Sequence, residues 1–114
     1  YFACKCHPRW RRSEVQRATF RPPAGRRPVL LLSRDAAYQV RTSITVSALT
    51  RTIRDIPVEV PLDIEDGMPE KCVANLDNIM TIPKSLLDKR ITTLPRSKME
   101  LVATAISFAL DIDS

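Results

Sequence analysis

The sequence predicts a mainly β fold of the α+β class, a small curled sheet with one helix packed on it. Three observations carry this. Short segments rich in Val, Ile, Leu and Thr recur between residues 14 and 94, separated by Pro, Gly, Asn and Asp. Only residues 97–110 place apolar side chains at helical spacing: Met99, Val102, Ile106, Ala109 and Leu110. A chain of 114 residues, 44% hydrophobic and 27% charged, suits one domain with its own core.

Taken in order, residues 1–11 (YFACKCHPRWR) read as an irregular basic arm ahead of a single domain over residues 12–114. EVQRATF at 14–20 alternates loosely and predicts a strand. RPPAGRR is a turn, with two prolines, a glycine and cations. Val29-Leu30-Leu31-Leu32 is the most apolar run and predicts a strand buried on both faces, with Pro28 at its first position. Residues 34–41 read as a loop or short helical turn. SITVSAL at 43–49 sets Ile44, Val46 and Ala48 against Ser43, Thr45 and Ser47, the pattern of a half-buried strand. A cationic loop follows, then the short edge strand VEVPL, whose Pro61 cannot donate to a ladder.

DIEDGMPEK is an acidic loop. CVANLDNIMTI at 72–82 predicts one or two strands around the polar group Asn75–Asn78. PKSLLDKR predicts a short helix, with Pro83 in its first turn and cations at its end. ITTL is a last strand. The terminal helix opens on Ser97 with Glu100 three residues later, the spacing of a capping box. Its apolar stripe is core or dimer packing.

The net charge of +5 is unevenly spread. Residues 1–54 hold 12 cations, nearly all arginine, against 2 carboxylates, whereas residues 55–114 hold 6 against 11. Arginine's planar fork suits phosphate, so this asymmetry points to a polyanionic partner. No run approaches the ~20 apolar residues of a membrane helix, and no membrane partner is expected. Three cysteines, Cys4, Cys6 and Cys72, make no disulfide framework. With no basic-then-apolar leader in view, a cytoplasmic location is expected.

The single histidine, His7, lies in the arm, so no His/Cys nucleophile pair can be built in the domain. Two glycines, Gly25 and Gly67, cannot make a phosphate-cradling loop. Cys4, Cys6 and His7 fall one ligand short of a structural zinc site. No metal or other cofactor is expected. Cleavage of RNA fits what is left, because the substrate's own 2′-hydroxyl is the nucleophile. The protein then has to align sugar and phosphate and stabilise the charged transition state, which an arginine held at the mouth of a rigid strand can do. Arg26 and Arg27 stand at such a mouth.

RSEVQRATF, GRRPVLLLSRD, TVSALTRTIRDIPVEVPL, EDGMPEKCVANLDNIMTIP and the closing helix together resemble the MazF/PemK toxins of bacterial toxin–antitoxin pairs, over about residues 12–112. The resemblance implies an SH3-like, partly open β-barrel with a C-terminal helix, of the MazF/PemK/CcdB-like kind, assembled as a homodimer. It implies a metal-independent endoribonuclease that cuts single-stranded RNA, mRNA included, at short sequences and leaves a 2′,3′-cyclic phosphate and a 5′-hydroxyl. It implies a cognate MazE-like antitoxin whose acidic C-terminal segment lies in the RNA groove. Carried over residue by residue, it makes Arg27 the catalytic arginine, stabilising the transition state with protonation of the leaving oxygen as a further option. Thr50 becomes the catalytic threonine.

Arg26, Ser47, Arg51, Arg54, Asp77 and Asn78 form the expected RNA-contacting set. Within it, Arg51 and Arg54 are either solvated charges or backbone contacts, and Asp77 and Asn78 either close a turn or read a base edge. The first strand departs from the family's usual Arg-Gly-Glu-[Val/Ile]-Trp, reading Arg12-Ser13-Glu14-Val15-Gln16, and no loop glutamate precedes Gly25. The general base is therefore unassigned. Two rival readings stand beside the nuclease: an inhibitor of DNA gyrase of the CcdB type, and a catalytically degenerate module that only binds an antitoxin.

Overall fold

The computed structural model describes residues 13–22, 25–33 and 42–111. The arm at 1–11, with Cys4, Cys6, His7 and Trp10, and the segment 34–41 lie outside the described residues.

Six strands form one antiparallel sheet: β1 (Glu14–Thr19), β2 (Arg26–Leu31), β3 (Ser43–Thr50), β4 (Glu59–Leu62), β5 (Cys72–Pro83) and β6 (Leu87–Thr93). Their order across the sheet is β4-β5-β3-β2-β1-β6. A single described helix, α1 (Arg96–Ala109), follows. The sheet curls into a half-barrel whose edges are β4 and β6. A turn after β4 closes part of the gap, where the Thr92 hydroxyl on β6 donates to the Asp66 carbonyl at 2.9 Å. Gly67 makes this turn possible: its φ is 92°, and a Cβ there would run into the Thr92 side chain.

The apolar run of β2 is buried on both faces, as its composition predicts. Leu30 packs with Val15, Leu49, Val60, Leu62 and Leu76 under Val102 and Ala105 of α1. Val29 and Leu31 point the other way, into Ala18, Ile44, Val46, Ile82 and Leu87. One strand thus ties two apolar layers together, and each fully buried Leu or Val contributes about 1.5–3 kcal/mol of transfer free energy.

Four expectations need correction. Pro28 is the third residue of β2, since Arg26 and Arg27 already pair with β1. Ser47 does not sit on a solvent face: it is fully buried, and its hydroxyl donates to the Asn75 carbonyl at 3.0 Å. Both faces of β3 are covered at this end, so polar alternation there does not mean exposure. The helix expected over PKSLLDKR is one 3-10 turn, Lys84–Leu86, and Leu87 then begins β6. A helix of two turns has little stability of its own, and this segment instead pairs with β1 in a ladder broken by two register shifts. At α1 the N-cap is Pro95, with no side-chain cap. Ser97 therefore lies inside the first turn, and Glu100 faces Arg96 at 3.9 Å. The stripe on α1 is core where expected at Val102, half-buried at Met99, Ile106 and Ala109, and exposed by Leu110.

The start of β1 carries a visible cost. Ser13 adopts a φ of 79°, the left-handed region, where the usual family pattern has glycine. Gln16 stands in place of the family's tryptophan and is fully buried. Its amide nitrogen donates to Glu14 Oε1 at 2.9 Å, but its Oε1 has no hydrogen-bond partner among the described residues.

Candidate active site

The site forms where β2 and β3 part company. The ladder between them joins Val29 to Ala48, Leu30 to Ser47 and Leu31 to Val46, and then stops. Continued by one rung, the register would set Pro28 against Leu49; by two, Arg27 against Thr50. The reason for the stop is chemical. The Leu32 N–H donates to the Thr45 carbonyl, so even-numbered positions of β2 direct their backbone groups toward β3. The next rung needs an N–H from residue 28, and proline has none. The ladder ends there, and Arg27 and Thr50, which the continued register would set opposite each other, lie just beyond its last pair.

Arg27 is therefore held by its own strand. Two residues beyond it, Val29, Leu30 and Leu31 are each fully buried. On its other side the hairpin back to β1 is closed by the Phe20 N–H donating to the Gly25 carbonyl at 2.9 Å, with Gly25 at a φ of 64°. Thr50 is fixed by a local turn, its Oγ1 accepting from the Thr52 N–H at 3.1 Å.

A cleft of about 480 Å³ opens at this split, and both predicted catalytic residues, Arg27 and Thr50, line it. So do Arg26 and Arg51 from the expected RNA-contacting set. Other lining residues were not foreseen, Arg17, Glu70 and Cys72 among them. Arg17 pairs with Pro28 across the β1–β2 ladder, which puts its side chain on the Arg26 side of the cleft. Alternation in EVQRATF carries the signal, since Val15 and Arg17 share a face. Glu70 and Cys72 come from the segment entering β5, and nothing local in the sequence marks them.

The cleft's cations are partly neutralised by the protein itself. Arg26 Nη2 lies 2.9 Å from Asp88 Oδ2 on β6, and Arg51 Nη1 lies 3.4 Å from Glu70 Oε1. These side chains are largely exposed, so each pair is worth little to stability. Cys72 is buried, and desolvation, helped by the nearby Glu70 and Asp66 carboxylates, pushes its thiol pKa up.

The remaining predicted residues lie away from the cleft. Ser47 is interior, as described. Arg54 is exposed on the loop after β3, where its N–H and that of Asp55 donate to the Glu59 carboxylate. Asp77 and Asn78 are exposed on β5, and the Asp77 N–H donates to Asn75 Oδ1 at 2.9 Å, closing a local turn. Among the described residues no group of His, Cys, Asp and Glu is arranged to hold a metal ion. No described helix is long and apolar enough to cross a membrane.

A curled six-stranded sheet with a terminal helix and an arginine-lined split defines a class of small toxins. Residues 11–110 match the family of PemK-like, MazF-like toxins of type II toxin–antitoxin systems, and the chain belongs to that family. It is an endoribonuclease of the MazF type, as its relatives are. The endoribonuclease MazF3 of Mycobacterium tuberculosis is 38% identical over 87 residues, covering 76% of this chain and 84% of that protein. The probable endoribonuclease MazF2 of the same organism is 41% identical over 78 residues, covering 68% and 76%. Among solved structures, the Mycobacterium tuberculosis toxin MazF-mt6 superposes with a TM-score of 0.82 at 34% identity, over 89% of this chain and 99% of that one. A mycobacterial endoribonuclease in complex with its cognate antitoxin gives 0.82 at 28% identity, over 92% and 98%.

Proposed function

We propose that this endoribonuclease cuts single-stranded RNA at short sequences, using the substrate's 2′-hydroxyl as nucleophile and no metal ion. The observation that carries this is that Arg27 and Thr50 line one cleft, each just beyond the end of the β2–β3 ladder. In this reading a phosphodiester enters between them. The Arg27 guanidinium donates hydrogen bonds to the phosphate oxygens, on which charge grows as the transition state forms. The Thr50 hydroxyl orients the same phosphate so that O2′ attacks in line with the leaving O5′. Arg17, Arg26 and Arg51 bind the flanking backbone. DNA lacks the 2′-hydroxyl and is not cut.

The partners follow from the same cleft. Its arginines suit an acidic peptide as well as RNA, which supports neutralisation by a cognate MazE-like antitoxin whose acidic C-terminal segment occupies the cleft. The active form is a homodimer, and its place of action is the cytoplasm, where mRNA is found.

The test is to incubate the protein with a long mixed-sequence RNA in the presence of a chelator and map the cleaved ends. Cuts at one recurring short sequence, with 2′,3′-cyclic phosphate and 5′-hydroxyl ends, are expected. Arg27→Ala should lower cleavage by about 10²–10³-fold, as removal of one transition-state donor does elsewhere, with an unchanged circular dichroism spectrum. Intact RNA together with blocked gyrase supercoiling would favour the CcdB-type reading. Intact RNA and free supercoiling, with tight binding of an acidic peptide, would favour the degenerate module.

A further inference from the structure

The chemistry above leaves one task without an owner, removal of the proton from O2′. Few groups around the cleft can take it. The guanidinium groups of Arg17, Arg26, Arg27 and Arg51 stay protonated, and the hydroxyls of Thr50 and Thr52 are not basic near neutral pH. The Cys72 thiol is buried and its pKa is raised, which keeps it protonated. Glu70 is the one carboxylate among the described residues lining the cleft.

Its setting is firm. Glu70 follows Pro69, between the buried Met68 and the buried Cys72. The turn before it is pinned by Gly67 against Thr92 and by the Thr92 hydrogen bond to Asp66. The segment therefore forms a wall of the cleft separate from the β1–β2 wall that supplies Arg17, Arg26 and Arg27. The Glu70 carboxylate is more than half exposed, and its ion-pair partner among the described residues, Arg51, stands at a long 3.4 Å. A phosphodiester lodged between the walls would meet cations on one side and this carboxylate on the other.

We infer that Glu70 is the general base of the cleavage, accepting the O2′ proton as O2′ attacks phosphorus. This rests on the 2′-hydroxyl reading given above. The O2′–P bond forms and the P–O5′ bond breaks. Glu70 carries the proton from O2′, and the departing O5′ takes one from solvent water. Glu70 then returns its proton to solvent, so the enzyme is restored and the RNA has neither gained nor lost a proton. Arg51 orients the carboxylate without touching the bond that breaks.

The experiment compares the full chain, Glu70→Gln and Glu70→Asp on an oligoribonucleotide containing a mapped cut, from about pH 4 to pH 9. Glu70→Gln should lower kcat by about 10²–10³-fold, within the range for loss of a general base, and remove the rise of kcat with pH on the acid side. Its Kd for a non-cleavable 2′-deoxy analogue should stay within about threefold of the parent, and Glu70→Asp should keep the acid-side rise. A substrate with a 5′-thio leaving group, which departs without protonation, should not rescue Glu70→Gln. Near-normal kcat in Glu70→Gln, or tighter analogue binding with faster cleavage, would overturn the role and make Glu70 a counter-ion of Arg51. Rescue by the 5′-thio substrate would overturn it too, moving Glu70 to the leaving group. If the unaltered protein yields no cyclic phosphate, the 2′-hydroxyl reading falls and Glu70 with it. A cyclic phosphate with an unimpaired Glu70→Gln removes Glu70 alone.

Discussion

At one end of β2, Val29, Leu30 and Leu31 have no exposed surface and bind strands on both sides. At the other end, three residues away, Arg26 and Arg27 are exposed, and their backbones ladder with β1 and not with β3. The same strand is an anchor and an open lip, and Pro28 is the boundary between them. The anchor lets an exposed arginine keep one position without being buried, which would cost far more than it could return. In the proposed mechanism the split is where a substrate phosphate meets that arginine.

The contrast can be broken at its buried end. Leu30→Ala removes a fully buried side chain from the layer that also holds Val102 and Ala105 of α1 and should destabilise the protein by about 2–5 kcal/mol. That is a large part of the 5–15 kcal/mol typical of a small domain. Denaturant unfolding measures it, and cleavage by the fraction that stays folded should fall much less.

It can be broken at the boundary itself. Pro28→Ala restores an N–H aimed at the Leu49 carbonyl and should let the ladder run on toward Arg27 and Thr50. Cleavage should drop about tenfold, equivalent to ~1.4 kcal/mol, while stability moves by no more than about 1 kcal/mol in either direction. Slowed hydrogen exchange at residue 28 would report the new bond, and an unprotected amide there would show that something other than the missing donor opens the split.

Sharpening it requires a change that touches only the anchored end. Ser13 donates its N–H to the Leu31 carbonyl at 3.1 Å while holding a φ of 79°. Ser13→Gly should relieve that strain and stabilise the fold by about 1 kcal/mol. Thermal unfolding reads the gain, and unchanged kcat would confirm that the anchored end governs stability and leaves the chemistry alone.

Much of this is legible in the sequence alone. The doubly buried β2, the edge strand containing Pro61 and the amphipathic α1 each follow from local pattern, because burial and chain period act on consecutive residues. Arg27 and Thr50 are singled out by the family resemblance, and the register sets both just beyond the end of the β2–β3 ladder. What escaped was set by contacts distant in sequence. Leu87–Thr93 is a strand because β1 needs a partner. Ser47 is buried because the far face of β3 is covered by the segment around Asn75. Arg17 and Glu70 reach the cleft from segments more than fifty residues apart in the chain, and no short spacing could have joined them.

The Arg26–Asp88 and Arg51–Glu70 pairs bear on how binding would respond to ionic strength. A bare arginine on RNA releases condensed counterions from the polymer, and the logarithm of affinity then falls by roughly 0.7 for each such contact per unit of log salt on a single strand. Where RNA must first displace a carboxylate already in place, part of that entropic gain is exchanged for parting two protein charges. The slope should then be shallower than the number of arginines in the cleft suggests, leaving the toxin's grip less sensitive to the salt around it.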